Sequence, residues 1–314
     1  MSTHLPKWGI VSTIKAPIGT IERFAAYHLE LGAERLFIYL DDDNEAAFKA
    51  LKTHPKIRVL RTHGEHWRSR NRPVKHQARQ GANARHAYKR KAHELDWLAH
   101  IDVDEFLWPI KTPIAEQLAA LPVTCMAARV RPVEALWHRT ETHFKAMTND
   151  RKQRQRETEA IYPTFGTHLN GGFLSHVAGK LFVRTGAEEV DLRIHNVFIK
   201  GDENPGQVEF IGTELCHLHA TSFEHWMENI RYRLAHGVYR AGLKPNRPPE
   251  RGGLTLNELL RTIEDSDGTE GLKAFYQEVC TATPELLQRL KAHGLLRSYD
   301  LALEEKRRKH FPTD

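Results

Sequence analysis

Apolar and polar positions in the first part of the chain alternate between two periods. Trp8–Thr13 is a short apolar run and reads as a buried strand. Ile18, Ile21, Phe24, Ala25 and Leu29 then recur at helical spacing, and Gly32 is placed to end that helix. Leu36–Leu40 is a continuous apolar run closed by Asp41-Asp42-Asp43, with Asn44 positioned to cap a helix carrying Ala47, Phe48 and Leu51. Ile57–Leu60 reads as a third strand, Gln77–Leu95 as a long basic helix and Trp97–Ile101 as a fourth strand. Strands separated by helices predict a parallel sheet with right-handed crossovers. Ligands of such sheets bind at the carboxyl ends of the strands, where the acidic clusters 41–43 and 102–105 both fall.

The pattern changes afterwards. Residues 145–159 are almost wholly polar and read as a surface loop or exposed helix. Leu181–Val183, Val190–His195 and Val208–Cys216 read as further strands, partly antiparallel. From Ser222, a candidate helix cap, the chain is helical, with a Pro- and Gly-rich loop at 244–253 and helices near 255–264, 268–280 and 284–293. The expected organisation is α/β: a mainly parallel sheet flanked by helices over residues 1–221, with a helical C-terminal region over 222–314 packed on it.

Composition narrows the function classes. The formal net charge is +6 and the isoelectric point about 9.2, which favours polyanionic partners such as nucleotide diphosphates, nucleic acid or anionic headgroups. No zinc finger, RNP-type aromatic motif or helix-turn-helix pattern accompanies that charge, so nucleic acid is not the expected partner. No Walker, dinucleotide-binding or nucleophile-elbow motif is present. No run of 18 apolar residues occurs. The N-terminus lacks signal-peptide features, and Cys125, Cys216 and Cys280 are widely spaced. The expected location is cytoplasmic, compatible with peripheral contact at the inner face of a membrane.

Three Asp-x-Asp pairs occur, and context separates them. Asp265/Asp267 precedes Gly268 between helical segments and reads as turn chemistry. Asp102 and Asp104 close an apolar strand and are followed by Glu105, Phe106 and Trp108. Positions i and i+2 of extended backbone project to one side, so two carboxylates can grip Mg²⁺ or Mn²⁺ while phosphate oxygens fill the remaining positions. The same residues would serve an acidic strand-to-loop junction of caps and ion pairs. His217 and His219 end another apolar strand. Brought near the acidic pair they would complete a metal shell suited to Mn²⁺ more than Mg²⁺, and otherwise they are hydrogen-bonded structural imidazoles. The basic stretch 68–91, with Arg68, Arg70, Arg72, Lys75, Arg79, Arg85, Lys89, Arg90 and Lys91, offers cations for a diphosphate or an acidic acceptor, or a solvated helix face.

These segments resemble glycosyltransferase family 2-like proteins, including the family 92 type. Glu22–Ala33 is similar to their E-W-x-x-Y-H-x-x-x-G helix, with Arg23 in place of the tryptophan. Leu36–Asp43 is similar to their second strand and its acidic end. Asp96–Phe106 (DWLAHIDVDEF) matches W-x-x-x-I-D-x-D-E-F closely. Gly179–Arg184, Ile194–Val197 and His217–His219 are more loosely similar to later strands, and Lys15-Ala16-Pro17 stands where the family has K-N-E.

The resemblance implies a GT-A-like fold and a metal-dependent, inverting transfer of a sugar from a UDP- or GDP-sugar to a glycan or glycolipid. It implies metal at Asp102 and Asp104, with His217 and His219 as further candidates. Lys15, Asp41, Asp43, Asp102 and Lys180 are the candidates for holding the nucleotide donor. Glu105 and Asp191 are the candidate catalytic carboxylates, with Glu214 also on a later strand. Two other readings stay open: a non-catalytic polyanion- or glycan-binding protein on the same fold, and a metal-dependent phosphohydrolase.

Overall fold

The computed structural model describes residues 5–67, 71–139, 142–235, 237, 239–242, 244, 245 and 249–312. In chain order the elements are β1 (Trp8–Ile14), α1 (Ile18–Glu30), β2 (Arg35–Leu40), α2 (Glu45–Lys52), β3 (Ile57–Arg61), α3 (His76–Arg90), β4 (Trp97–His100), β5 (Glu105–Pro109), α4 (Ile114–Ala119), β6 (Ala127–Leu136) and β7 (His143–Lys145). Then follow α5 (Arg151–Ile161), β8 (Lys180–Arg184), β9 (Val190–Leu192), β10 (Val197–Ile199), β11 (Asp202–Glu203), β12 (Val208–His217), α6 (Phe223–Ala235), α7 (Leu256–Cys280), α8 (Pro284–Ala292), β13 (Leu296–Ser298) and α9 (Leu303–His310). The chain forms two compact units, one of residues 1–131, 178–215 and 301–314, the other of 132–177 and 216–300.

In the first unit the strands run in the order β3-β2-β1-β4-β8-β6. The first four are parallel, and β8 is antiparallel to both β4 and β6. The order 3-2-1-4 is that of Rossmann-like nucleotide-binding sheets, with the reversal of strand order between β1 and β4. The α/β, GT-A-like class expected from the sequence is therefore the observed one, parallel over its first half and antiparallel beyond. All seven residues of β1 are buried, as a strand covered on both faces requires. Val11, Phe37 and Tyr39 pack on Ala84, Ala87 and Tyr88 of α3, so the alternate residues Ile10, Leu36 and Ile38 face the opposite side.

Helix α1 ends where Gly32, at φ +93°, turns the chain into β2. Asn44 accepts from the Ala47 amide at 3.0 Å and caps α2. Helix α9 returns to α1: Arg307 lies 3.2 Å from Glu22, and His310 lies 2.6 Å from Glu30. A small antiparallel sheet, β9-β10-β11, places Val190, Leu192 and Val197 in the same core as α3.

The second unit is mainly helical. Its β7 pairs with residues 134–136 of β6 and with β13, both antiparallel. Trp226, Ile230, Phe275, Tyr276 and Leu286 form its core. Ser222 caps α6, accepting from His225 N at 3.1 Å. The Asp-Ser-Asp-Gly segment behaves as turn chemistry: Gly268, at φ +60°, breaks α7 into two helices. Beneath this core Lys145 and Glu134 form a fully buried pair at 3.1 Å. Lys145 also donates to Gly172 O and Val279 O, while Glu134 accepts from the amides of Leu174 and Ser175. Burial opposes the Glu134 charge, but Lys145, then His219 and the hydrogen bonds from Ser175 and Leu174, outweigh it and hold the carboxyl down at about 2. Among the described residues no helix is long and apolar enough to cross a membrane.

Candidate functional site

The carboxyl ends of β1, β2 and β4 carry a layer of polar side chains facing α3. Gln80 and Asn83 sit three residues apart on the buried side of that helix, beside Ala84 and Ala87. The Gln80 amide donates to Asp102 Oδ1. Asn83 donates to Thr13 Oγ1 at 3.0 Å, and its Oδ1 lies 2.8 Å from His66 Nε2. Tyr39 OH and His86 Nδ1 are 2.7 Å apart. Apolar spacing alone passes over these residues. Their signal was a pair of amides interrupting an otherwise alanine-lined face.

Asp102 follows the last residues of β4 and opens a tight turn. The Glu105 amide donates to Asp102 O at 3.1 Å, and the Glu105 carboxylate accepts from Asp102 N at 2.7 Å. Glu105 thus fastens the loop that presents Asp104. The Asp102 side chain remains 31% exposed, whereas that of Glu105 is 6% exposed. Lys180, at the start of β8 and 2% exposed, reaches Asp102 Oδ2 at 2.7 Å and Glu105 Oε2 at 3.5 Å. Burial disfavours its charge, yet Asp102, Glu105 and Asp104 outweigh that cost and raise its pKa above the ordinary range for lysine. His100, two residues before Asp102, is buried; that burial, reinforced by Lys180, pulls its pKa to about 4, so it is neutral near pH 7. Its Nδ1 lies 3.4 Å from Arg193 O. Its Nε2 has no hydrogen-bond partner among the described residues.

The acidic end of β2 is organised differently. Arg79 makes three hydrogen bonds of 2.7–2.9 Å to the Asp41 carboxylate. Arg72 adds one at 2.8 Å, His76 Nδ1 lies 3.1 Å away, and Thr62 donates at 3.3 Å. The Asp41 side chain is 1% exposed. Burial works against its charge, but His76, Arg79 and Arg72 hold its pKa well below the usual carboxylate range. Arg79 also donates to Pro73 O and Val74 O, so it staples the segment before α3 to the strand end. Asp43 is exposed and lies 3.0 Å from His63, and Lys15 is exposed after β1. Arg68 and Arg70 lie outside the described residues.

Asp191, on β9, pairs with Arg85 at 2.6 Å and Arg193 at 3.0 Å. It is 40% exposed. Partial burial pushes its pKa up, but the two guanidinium groups bring it below the ordinary value. In the second unit His217 ends β12 and His219 follows, with ring centroids 5.1 Å apart. His219 Nε2 meets Tyr239 OH at 2.9 Å, and Arg233 donates to His219 O at 3.0 Å. A hydrogen bond on one ring nitrogen sets the orientation of the other, as metal-ligating histidines require. All three cysteines are buried and unbridged.

The sequence matches no protein-family model and no curated protein. Among solved structures it is similar to a 4-diphosphocytidyl-2C-methyl-D-erythritol synthase from Anaerococcus prevotii. The identity is 10%, over 58% of this chain and 72% of that one, with a TM-score of 0.30. It is also similar to HddC from Yersinia pseudotuberculosis at 12% identity, over 68% of this chain and 76% of that one, with a TM-score of 0.29.

Proposed function

We propose that the chain is a metal-dependent glycosyltransferase that transfers a sugar from a UDP- or GDP-sugar to a glycan or glycolipid acceptor, with inversion. The supporting observation is the turn at 102–105, which sets a partly exposed Asp102 at the carboxyl end of β4, beside the reversal of strand order. Asp104 would hold a divalent cation together with Asp102, with His217 and His219 as the imidazole ligands. Carboxylates with imidazoles fit Mn²⁺ by donor chemistry. The cation, when bound, neutralises charge developing on the departing nucleotide diphosphate.

The chain's own residues do the rest. Lys180 and Gln80 fix the Asp102 carboxylate, and Glu105 fixes the turn. Lys15 and Asp43 border the nucleotide, and Asp41 acts through the guanidinium groups it holds at the strand edge. Asp191 is the more accessible of the two candidate bases and takes the proton of the acceptor hydroxyl, while Glu105 is occupied by the turn.

The test is thermal unfolding with UDP and GDP, each with and without Mn²⁺. A ligand that binds only the folded state raises the midpoint by mass action. The expected result is a shift requiring both nucleotide and metal, lost in Asp104→Asn. No shift with any nucleotide, from well-folded protein, overturns the donor site. Phosphate release from nucleotides without an acceptor would point to the phosphohydrolase instead.

A further inference from the structure

The parallel sheet of the first unit ends at β3, which pairs with β2 alone. A sheet edge carries a row of backbone groups that another strand can take up. The ladder to β2 fixes which groups these are. Leu36 N donates to Lys56 O, and Thr62 N donates to Leu40 O, both at 3.0 Å. Backbone groups alternate sides along a strand, so residues 56, 58, 60 and 62 face β2, while Val59 and Arg61 face outward. Ile57 is spent locally: its N–H donates to His54 O at 3.1 Å, and its carbonyl accepts from Arg58 Nη1 at 3.2 Å. That leaves Val59 N–H, Val59 C=O and Arg61 N–H, which have no partner among the described residues.

A groove of about 260 Å³ opens on this edge. Its apolar lining, Ile57, Val59 and Leu60, is buried or half-buried, and its polar lining, Lys52, Arg58 and Lys91, is exposed. Arg61 pairs with Glu45 of α2, so Ile57, Val59 and Arg61 lie on the α2 face of β3. Leu60 packs with Ala84 and Ala87 of α3 on the other face. Lys52 closes α2 and Lys91 follows α3, so the two lysines flank the edge from opposite faces of the sheet.

No aspartate or glutamate lines the groove. Arg58 donates to Pro55 O and Ile57 O, and the Lys52 ammonium lies 5.7 Å from the Phe48 ring centroid. Among the described residues none of the three cations is paired with a carboxylate. Charged side chains on an edge turn away strands that bring no counter-charge. A second copy would set these cations against their own equals, which repel across a strand pair. An acidic strand meets the reverse: its carboxylates find cations on both faces while the backbone pairs set its register.

We infer that the open edge of β3 is a docking surface for an extended acidic segment of a partner protein, which adds to the sheet as a further strand. The edge shares no residue with the proposed metal and donor sites, so the inference stands apart from sugar transfer.

The experiment is fluorescence anisotropy of a blocked, dye-labelled pentapeptide, four acidic residues around a central valine, titrated with the full chain. The expected result is saturable binding that weakens as salt is raised. Lys52→Glu/Lys91→Glu should weaken it by about tenfold or more, because two exposed ion pairs become repulsive. Val59→Pro should weaken it by about tenfold or more as well, since it removes an outward donor that the β2 ladder does not use. Amide hydrogen exchange of the parent reads the same contact without a variant: Val59 and Arg61 should slow by about tenfold at saturating peptide. Equal binding by the charge-reversal variant or by well-folded Val59→Pro overturns the inference. So does unchanged exchange at both amides, equal affinity for the all-lysine counterpart of the peptide, or no binding by folded protein. A dimer of the parent in sedimentation that Val59→Pro abolishes would give the edge to a second copy instead.

Discussion

The acidic ends of β2 and β4 look alike in sequence: each is an apolar run that stops in aspartates at the same edge of one sheet. Their electrostatic states differ. Asp41 is sealed by Arg72, Arg79, His76 and Thr62 and is 1% exposed. Asp102 receives an amide from Gln80 and an ammonium from Lys180 and is 31% exposed. One helix makes this distinction. The first turn of α3 delivers His76 and Arg79 to Asp41, and the next residue along, Gln80, delivers a neutral donor to Asp102. A carboxylate at a strand end is therefore no sign of a ligand site until the side chains that close over it are known.

The largest expected effects break the two clusters apart. Asp104→Asn should lower turnover by about 10²–10³-fold, as removal of a group that stabilises developing charge does, and should leave the unfolding midpoint nearly unchanged. Asp41→Asn should do the opposite. It strips a buried counter-ion from Arg79 and should cost about 3 kcal/mol of stability, with turnover per folded molecule falling much less than in Asp104→Asn. Denaturant titration beside steady-state rates for both variants checks this. A stable, inactive Asp41→Asn would reverse the assignment of the two ends. A sharper variant is Gln80→Arg, which gives Asp102 the kind of partner Asp41 has. It should weaken the nucleotide–Mn²⁺ midpoint shift, and burying a second cation beside Lys180 should also lower the midpoint of the ligand-free protein. An undiminished shift would mean that the charge of the residue facing Asp102 is unimportant.

The distinction was only half legible beforehand. The strand runs, the acidic ends, the Gly32 and Asn44 caps and the α/β class all follow from period and turn chemistry, which are local. So does the break at Gly268. Local sequence assigns the acids of 41–43 and 102–105 the same surroundings, because the partners that separate them come from 21 to 78 residues away. Arg72 and Arg79 were visible as part of a basic stretch, without sign of which would be spent on Asp41. Lys180 is a lone lysine at the start of a strand, and only the antiparallel placement of β8 beside β4 brings it to Asp102. The groove on the edge of β3 was the least legible. Its basic residues close α2, lie on β3 and follow α3, segments with no common period.

The smallest effect concerns how the β4 end is held, and it gives pH a handle on the comparison. Tyr27 and His28 of α1 both dock on Leu107, three residues beyond Asp104. Tyr27 OH donates to Leu107 O at 2.9 Å, and His28 Nε2 accepts from Leu107 N at 3.4 Å. The other nitrogen, Nδ1, carries the proton and donates to Phe24 O at 2.8 Å. Protonating Nε2 would destroy the bond to Leu107 inside the core. Burial accordingly pulls the His28 pKa from 6.5 to about 3, against a smaller opposing pull from the Phe24 carbonyl. The unfolded chain takes up a proton below about pH 6.5 and the folded chain does not. Stability from this group is therefore fully present above that pH and is lost as pH falls toward the folded value. The slope is at most about 1.4 kcal/mol per pH unit. His28→Gln keeps an acceptor for Leu107 and removes the titration. It should cost about 1 kcal/mol at pH 7, and the gap to the parent should shrink as pH is lowered from 7 to 5. Equilibrium denaturation at those two pH values reads the gap directly. A gap that stays constant would show that His28 titrates alike in both states, and the docking of α1 behind the Asp104 turn would then not depend on a neutral imidazole.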